Sequence, residues 1–320
     1  MGIVNRLPHT SMVGRPIADY LNVSVPFDHS EDLRSAVLVV LDSLGCFSEE
    51  APGLFRYLRI VVKKGVIGTE SLGTVKIGRR GKVATLSTSG GVLRLLRESG
   101  RLSEYLAAIA AFPHRVTMLH ATADFLCSDV PAVINGFKDA AYSGDLALTR
   151  KRILPAQCQH VFSVDVDGKE TGTVYLGQRA NADVWAKVYD KRHERLSRGF
   201  EDPGSLCRVE VACQSDVGAT LRDAAEPYDI FFQYAGRSLV EAPADFPGWV
   251  AHGEGYVLGQ RRERTLFERF DQLIEGSLDI RRLAGMAVEL YGAEIAPAVI
   301  GRRVLALVRA PGVRSPEYCI

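Results

Sequence analysis

The sequence predicts an α+β protein, an antiparallel sheet with packed helices followed by a helical C-terminal module. Three observations carry this. Apolar and polar side chains alternate residue by residue near 17–27, 115–125, 184–191 and 206–213, the period of a half-buried strand. Segments with apolar residues at helical spacing lie between them. Beyond Ser215 the pattern turns mostly helical, so the chain divides into residues 1–240 and a module over 241–320.

The first strand, Ile17 to Phe27, sets Leu21, Val23, Val25 and Phe27 against Tyr20, Asn22 and Ser24, and ends near Pro26. A helix follows: Ser30 can cap it, Glu31 and Asp32 fall in its first turn, and Leu33, Val37, Val40, Leu41 and Leu44 recur at helical spacing before Gly45. Leu72 to Ser87 reads as a hairpin around the basic turn Gly78-Arg-Arg-Gly-Lys82. After Ser87-Thr-Ser-Gly-Gly91 come helices over Val92 to Arg97 and Ser103 to Ala111, the second stopping before Pro113. Arg115 to Phe125 is a strand with Val116, Met118, His120, Thr122 and Asp124 on one face. A helix over 131–142, strands near 160–166 and 171–176 joined at Asp167-Gly168, and a strand from Leu206 to Cys213 continue the pattern. Further helices are expected near 217–225, 228–235, 261–274 and 278–291, with a Pro-rich stretch over 242–248. No internal repeat stands out. Arg261-Arg262-Glu263-Arg264 and Arg302-Arg303 could assist binding to duplex DNA, or form solvated helix faces.

The 320 residues, 47% hydrophobic and 24% charged, suit a globular protein of one large or two medium domains and exclude fibrous and disordered classes. Formal net charge is +1, so a polyanion site has to be a local patch. One lies at 179–198, where six Lys/Arg face three acids, a net of +3. The six cysteines show no CxxC pair or zinc spacing and suit reduced thiols. No apolar stretch approaches the ~20 residues of a membrane span, and neither a signal peptide nor a myristoylation signal opens the chain. A soluble cytoplasmic protein is expected. Phosphate-loop, dinucleotide, zinc-protease and serine-hydrolase motifs are absent.

Chemistry concentrates on the strand Val184 to Lys191. Val184, Ala186 and Val188 point one way, and Trp185, Lys187, Tyr189 and Lys191 the other, so a phenol stands between two ammonium groups. A phenol titrates near 10 and needs adjacent positive charge or a metal ion to attack an electrophile near neutral pH. Tyr189 is thus a candidate nucleophile, and a half-buried strand tyrosine between solvated lysines fits the same spacing. Two other strands offer polar faces, His120 with Asp124 and Arg208 with Glu210. If the faces align, the carboxylates and His120 could hold a divalent ion, Mg²⁺ or Mn²⁺. His120 and Asp124 lie about 13 Å apart along a strand at ~3.3 Å per residue, so at most one of them can join Glu210.

These segments resemble the replication initiation factor family, rolling-circle initiators of plasmids and filamentous phages and related conjugative relaxases. Asp19-Tyr-Leu-Asn-Val-Ser-Val25 is similar to that family's first strand, and Val83 to Gly91 to its strand with a Ser-Gly turn. Val116 to Asp124 stands in the place of a "VTRxDxxxD" strand, Val174-Tyr-Leu-Gly-Gln-Arg179 resembles "YLGSR", Lys187 to Lys191 resembles "RxYxK", and Arg208-Val-Glu210 resembles "RxE". The likeness spans about residues 15–235. Lys187 replaces the usual Arg, and Met118 and His120 replace the usual Arg and Asp.

The resemblance implies an RRM-like or HUH-like antiparallel sheet and a metal-dependent nicking and joining endonuclease acting on single-stranded origin DNA. In it Tyr189 is the nucleophile, Lys187 and Lys191 are catalytic cations, Arg179 and Arg208 contact DNA, and Glu210 holds the metal with Asp124, or with His120 in place of the usual Asp; Trp185, an aromatic on the same face, could stack on a base or pack in the core. A 5′-phosphotyrosine would form and leave a 3′-OH for a polymerase. Host helicase and polymerase, and a second copy of the chain, are the partners this reading admits, with no membrane. A conjugative relaxase, or a non-catalytic single-stranded nucleic-acid-binding protein, are the alternatives.

Overall fold

The computed structural model describes residues 6–44, 47–50, 58–63, 71–80, 83–150, 152–164, 168, 170–177, 182–244 and 246. They belong to the first of two units into which the chain divides, Met1–Tyr256. The expected helical module over 241–320, with Arg261 to Arg264, Arg302 and Arg303, therefore lies almost wholly outside the described residues, as do Arg179 and the tip of the basic turn at Gly81 and Lys82.

The fold class is α+β. Ten strands are described: β1 (Met12–Pro26), β2 (Phe47–Glu50), β3 (Leu58–Lys63), β4 (Ser71–Arg80), β5 (Val83–Ser89), β6 (Arg115–Leu126), β7 (Cys158–Val164), β8 (Glu170–Leu176), β9 (Val184–Asp190) and β10 (Leu206–Gln214). The described α-helices are α1 (Ser30–Asp42), α2 (Gly90–Glu98), α3 (Leu102–Ala110), α4 (Val130–Tyr142), α5 (Lys191–Ser197), α6 (Leu221–Ala225) and α7 (Tyr228–Ala235). All pairings in the sheet are antiparallel, in the order β2-β3-β4-β5-β1-β6-β10-β9-β8-β7. Alternation does not announce β2 and β3: Phe-Ser-Glu-Glu is too short to display a period, and Leu-Arg-Ile-Val-Val-Lys carries a run of apolar residues in place of one.

The strand order is a palindrome. Each half runs strand, helix, four strands, then helices: β1, α1, β2 to β5 in one, and β6, α4, β7 to β10 in the other, with the short α5 inserted in the second. A 100-residue offset relates the opening parts, since α1 spans 30–42 and α4 spans 130–142. Under it Tyr20 falls on His120, and these two are register partners across the seam between the halves. The sequence shows no repeat because the halves share topology and not side chains.

Local chemistry fixes the elements. Asp129 accepts a hydrogen bond from Ala132 N at 3.1 Å, and Pro131 sits in the first turn of α4, where its missing N–H costs nothing. Thr220 and Asp223 form a reciprocal capping box on α6. One face of the sheet is the core: Leu119, Ala121 and Phe125 of β6 and Val209 and Val211 of β10 are fully buried, and α7 adds Phe231 and Phe232. Each such valine, leucine or phenylalanine side chain contributes about 1.5–3 kcal/mol by leaving water. The opposite face of β6, β10 and β9 carries the polar residues.

Gly172 in β8 has φ +146°, and a Cβ there would lie 2.1 Å from the Val161 carbonyl oxygen. Gly168, at φ +79°, has open space around it. Urea unfolding of Gly172→Ala is expected to show a loss of about 2 kcal/mol or more, and of Gly168→Ala about 1 kcal/mol; equal losses would refute the steric account.

Candidate active site

Register assembles the site. In β10, Arg208 faces Asp124 on β6 and Tyr189 on β9; Glu210 faces Thr122 and Lys187; Ala212 faces His120 and Trp185. The three polar faces expected from the sequence therefore form one surface, in three cross-strand rows. Ala212 is small enough for the rings beside it to meet: His120 lies 5.4 Å from Trp185, edge-on, and 5.0 Å from Tyr20.

Glu210, 1% exposed, is held by both neighbours. His120 Nδ1 lies 2.8 Å from Oε1 and Lys187 Nζ 2.9 Å from Oε2. Burial pushes this carboxyl up, yet the hydrogen bond from His120 and the charge of Lys187 outweigh it and hold Glu210 at about 2. Arg208 grips Asp124 with a two-pronged fork, Nε to Oδ1 at 2.5 Å and Nη2 to Oδ2 at 2.7 Å. Burial alone would lower the guanidinium; Asp124, through its hydrogen bonds and charge, keeps it above its ordinary value, with a further contribution from Asp19.

Tyr189 is 8% exposed. Lys187 Nζ stands 5.0 Å and Lys191 Nζ 5.9 Å from the centre of its ring. The expected lowering of the phenol's pKa by cations is not what the site produces. Burial raises it well above 10, and Glu210, Asp19 and Glu194 add to the rise against the pull of Arg208.

Lys191 differs from expectation in its element. Asp190 accepts from His193 N at 2.8 Å and from Thr171 Oγ1 at 3.0 Å, so it ends β9 as the N-cap of α5. Lys191 thus lies in the first turn of a helix and still reaches the phenol, paired with Glu194 at 2.5 Å. Its ammonium is lowered by burial and by Arg208, and partly restored by Glu194.

Two acids join the cluster without having been singled out. Glu194 sits between Lys191 and Arg198, at 2.5 and 2.7 Å. Asp19 stands where β1 shifts register between Ala18 and Tyr20; such a bulge re-aims one side chain and leaves no trace in alternation. Its Oδ2 lies 3.7 Å from Arg208 Nη1. Burial raises the Asp19 carboxyl, with Arg208 pulling down and Glu210 pushing up. The local positive excess is thereby compensated: Arg208, Lys187 and Lys191 face Asp19, Asp124, Glu194 and Glu210.

The expected metal ligands do not converge. Asp124 belongs to Arg208, and Glu210 to His120 and Lys187, so all four carboxylate oxygens already have protein partners. No group of three His, Cys, Asp or Glu among the described residues is placed to hold a metal ion. His120 Nε2, buried and without a hydrogen-bond partner, is the one open donor of the set. As arranged, these residues do not fit a hard divalent ion. Trp185, 2% exposed, is packed and not presented to a base. Cys127, Cys158, Cys207 and Cys213 are free thiols. No helix among the described residues is long and apolar enough to cross a membrane.

Fold and site together define an α+β protein with a buried tyrosine in a charge-compensated cluster on an antiparallel sheet. No protein-family model matches the chain, and no curated protein matches it. Among solved structures it is similar to a rolling-circle replication initiator protein from Geobacillus stearothermophilus, with 14% identity, a TM-score of 0.41, and coverage of 69% of this chain and 84% of that one. At that level the likeness is one of distant overall shape.

Because folding lowers Glu210 from 4.5 to about 2, its pairing adds stability that is complete above pH ~4.5 and is lost as pH falls toward 2, on the order of 3 kcal/mol. Acid titration of wild type should show this component and Glu210→Gln should lack it; identical acid slopes would contradict the pairing.

Proposed function

We propose that this chain is a DNA-nicking and joining enzyme of the rolling-circle initiation type, with Tyr189 as nucleophile. The observation that carries the reading is the register row that sets the Tyr189 phenol beside Arg208 and within 5.0 and 5.9 Å of two lysine ammonium groups. The phenolic oxygen attacks phosphorus in single-stranded DNA. A Tyr–O–P bond forms as the P–O3′ bond breaks, giving a 5′-phosphotyrosine and a free 3′-OH. Lys187, Lys191 and Arg208 stabilise the charge gathering on the phosphoryl oxygens. Attack by a 3′-OH on the phosphotyrosine reverses the step and rejoins the strand.

The lysines are paired with Glu210 and Glu194 before substrate arrives, and an entering phosphate takes over part of that pairing. Arg179 is proposed to contact the same strand. A 3′-OH is what a polymerase extends, so a host polymerase and helicase are the proposed partners in the cytoplasm, with a homodimer as the proposed assembly. A divalent ion held by Glu210 with one of His120 and Asp124 is a separate proposal that requires Lys187 or Arg208 to release a carboxylate. Lys187→Met should then bind Mn²⁺ more tightly than wild type in calorimetric titration, and unchanged affinity counts against it.

Labelled single-stranded oligonucleotides tiled across DNA flanking the coding sequence provide the test of nicking. Wild type is expected to form a denaturation-resistant adduct whose peptide maps to Tyr189, and Tyr189→Phe to form none. The same experiment would support a conjugative relaxase equally, since its chemistry is the same. The burial of Tyr189 favours a second reading, a non-catalytic single-strand binder: oligonucleotide binding with no adduct in wild type would establish that one.

A further inference from the structure

We propose that two copies of this chain pair through β7, edge to edge and antiparallel, so that their sheets join into one. The homodimer of the preceding section thereby gains a surface, on grounds that do not involve the nicking chemistry.

Exposed apolar side chains gather at this margin of the sheet. Ten large hydrophobic residues stand exposed among the described residues, and five of them are Val161, Phe162 and Val164 on β7 with Leu154 and Tyr142, each 42–60% exposed. Cys158, at the start of β7, ties the five together: its Sγ lies 3.6 Å from the Leu154 carbonyl oxygen and 3.8 Å from that of Ala141, next to Tyr142. Single exposed hydrophobics are ordinary, whereas a cluster marks an interaction surface.

The backbone points the same way. β7 is the last strand in the sheet order and pairs with β8 alone. A Cβ on Gly172 of β8 would meet Val161 O at 2.1 Å and Ser163 N at 3.2 Å, so those groups point at β8. Alternation then turns the N–H and C=O of His160 and Phe162 outward, and neither residue makes a backbone hydrogen bond outside the sheet among the described residues. The register with β8 runs from Cys158↔Leu176 to Val164↔Glu170 without a bulge. The strand itself, Cys-Gln-His-Val-Phe-Ser-Val, holds no proline and no Lys, Arg, Asp or Glu. Proline, charge and bulges are the devices that keep an edge from pairing, and β7 has none of them.

Charge and symmetry select a second copy as the occupant. Two-fold pairing centred on Val161 sets Val161 against Val161, Phe162 against His160, Ser163 against Gln159 and Val164 against Cys158, so the whole strand is matched and no like charges meet. The outward groups of His160 and Phe162 bond one another across the interface, and the antiparallel order of β8 with β7 and of β9 with β8 continues into the second copy. The other edge of the sheet is β2, Phe-Ser-Glu-Glu. Pairing β2 with β2 sets carboxylates against each other, and pairing β2 with β7 sets them against valine and phenylalanine. Assembly therefore closes at two copies. Val161 shares a row with Thr173 and Tyr189, so the two Tyr189 rows fall on one face, five strand spacings apart, about 24 Å at ~4.8 Å each.

The experiment is sedimentation velocity of the full-length protein from about 1 to 100 μM, with Val161→Lys, Val161→Cys and Gln159→Cys beside wild type. Wild type is expected to dimerise. Val161→Lys, which sets two ammonium groups face to face, should keep the wild-type circular dichroism and weaken the dimer about tenfold or more. Under mild oxidation Val161→Cys should yield a dimer linked through the introduced thiols, because a non-hydrogen-bonded pair brings its Cα atoms within about 4.5 Å. Gln159→Cys should yield none, since the two-fold sets position 159 against Ser163. Amide exchange at His160 and Phe162 should slow as protein concentration rises. A wild type that stays monomeric overturns the proposal and leaves the edge to a strand of another protein. Slow exchange independent of concentration overturns it in favour of another segment of the same chain, and a dimer undisturbed by Val161→Lys in favour of another surface. A missing Tyr189 adduct would remove the nuclease reading and leave this pairing standing.

Discussion

A carboxylate buried at the middle of a wide sheet has to find partners on its neighbours, and Glu210 finds them on both sides, the imidazole of His120 on β6 and the ammonium of Lys187 on β9. Removing either partner would leave a carboxylate oxygen unsatisfied in a medium that solvates charge poorly, at several kcal/mol. This requirement locks β10 between the other two strands in a single register, because a one-residue slip would turn Glu210 into the apolar core beside Val209 and Val211. The same register sets Arg208 between Asp124 and Tyr189. The candidate site is therefore a by-product of satisfying one buried acid, and its geometry is as rigid as the sheet.

Much of this was legible from alternation. A period of two puts Lys187 with Tyr189, Arg208 with Glu210 and His120 with Asp124 wherever the strands fall, and antiparallel pairing brought the three faces together. What alternation does not carry is the partner of each charge. His120 and Asp124 share a face, yet one serves Glu210 and the other Arg208, a division fixed by cross-strand distances that sequence spacing does not encode. Lys191 was placed on the strand because nothing in the period announces that Asp190 will cap a helix. Asp19 was read as an ordinary strand residue, since a bulge shifts register without altering composition. The acids that pair with the basic segment come partly from far away in sequence, Glu210 of β10 for Lys187, and partly from nearby, Glu194 for Lys191 and Arg198, and Asp202 for Arg192, so a local count of charge overstated the field.

A compensated cluster behaves differently from a basic patch. Free cations draw a polyanion from a distance, with strong dependence on salt. Paired cations act at contact, where a phosphate in the right place can exchange with a carboxylate and one elsewhere gains little. Selectivity then lies in position more than in attraction, which suits a protein whose formal net charge is only +1.

The palindromic sheet gives this surface a direction. Followed through the strand pairings under the 100-residue offset, Asp124 falls on Ser24, Arg208 on Thr85, Glu210 on Ser87, Lys187 on Lys76 and Tyr189 on Gly78. The frame has near two-fold symmetry, while most of its charge sits in the second half, with Lys76 of β4 and Asp19 of β1 in the first. A symmetric surface would accept a strand of nucleic acid equally well from either end, because turning the strand around would present the same contacts. Uneven loading removes that equivalence: the surface passes across the seam from mainly serine, threonine and glycine to the charged cluster, so the two directions along it are not interchangeable.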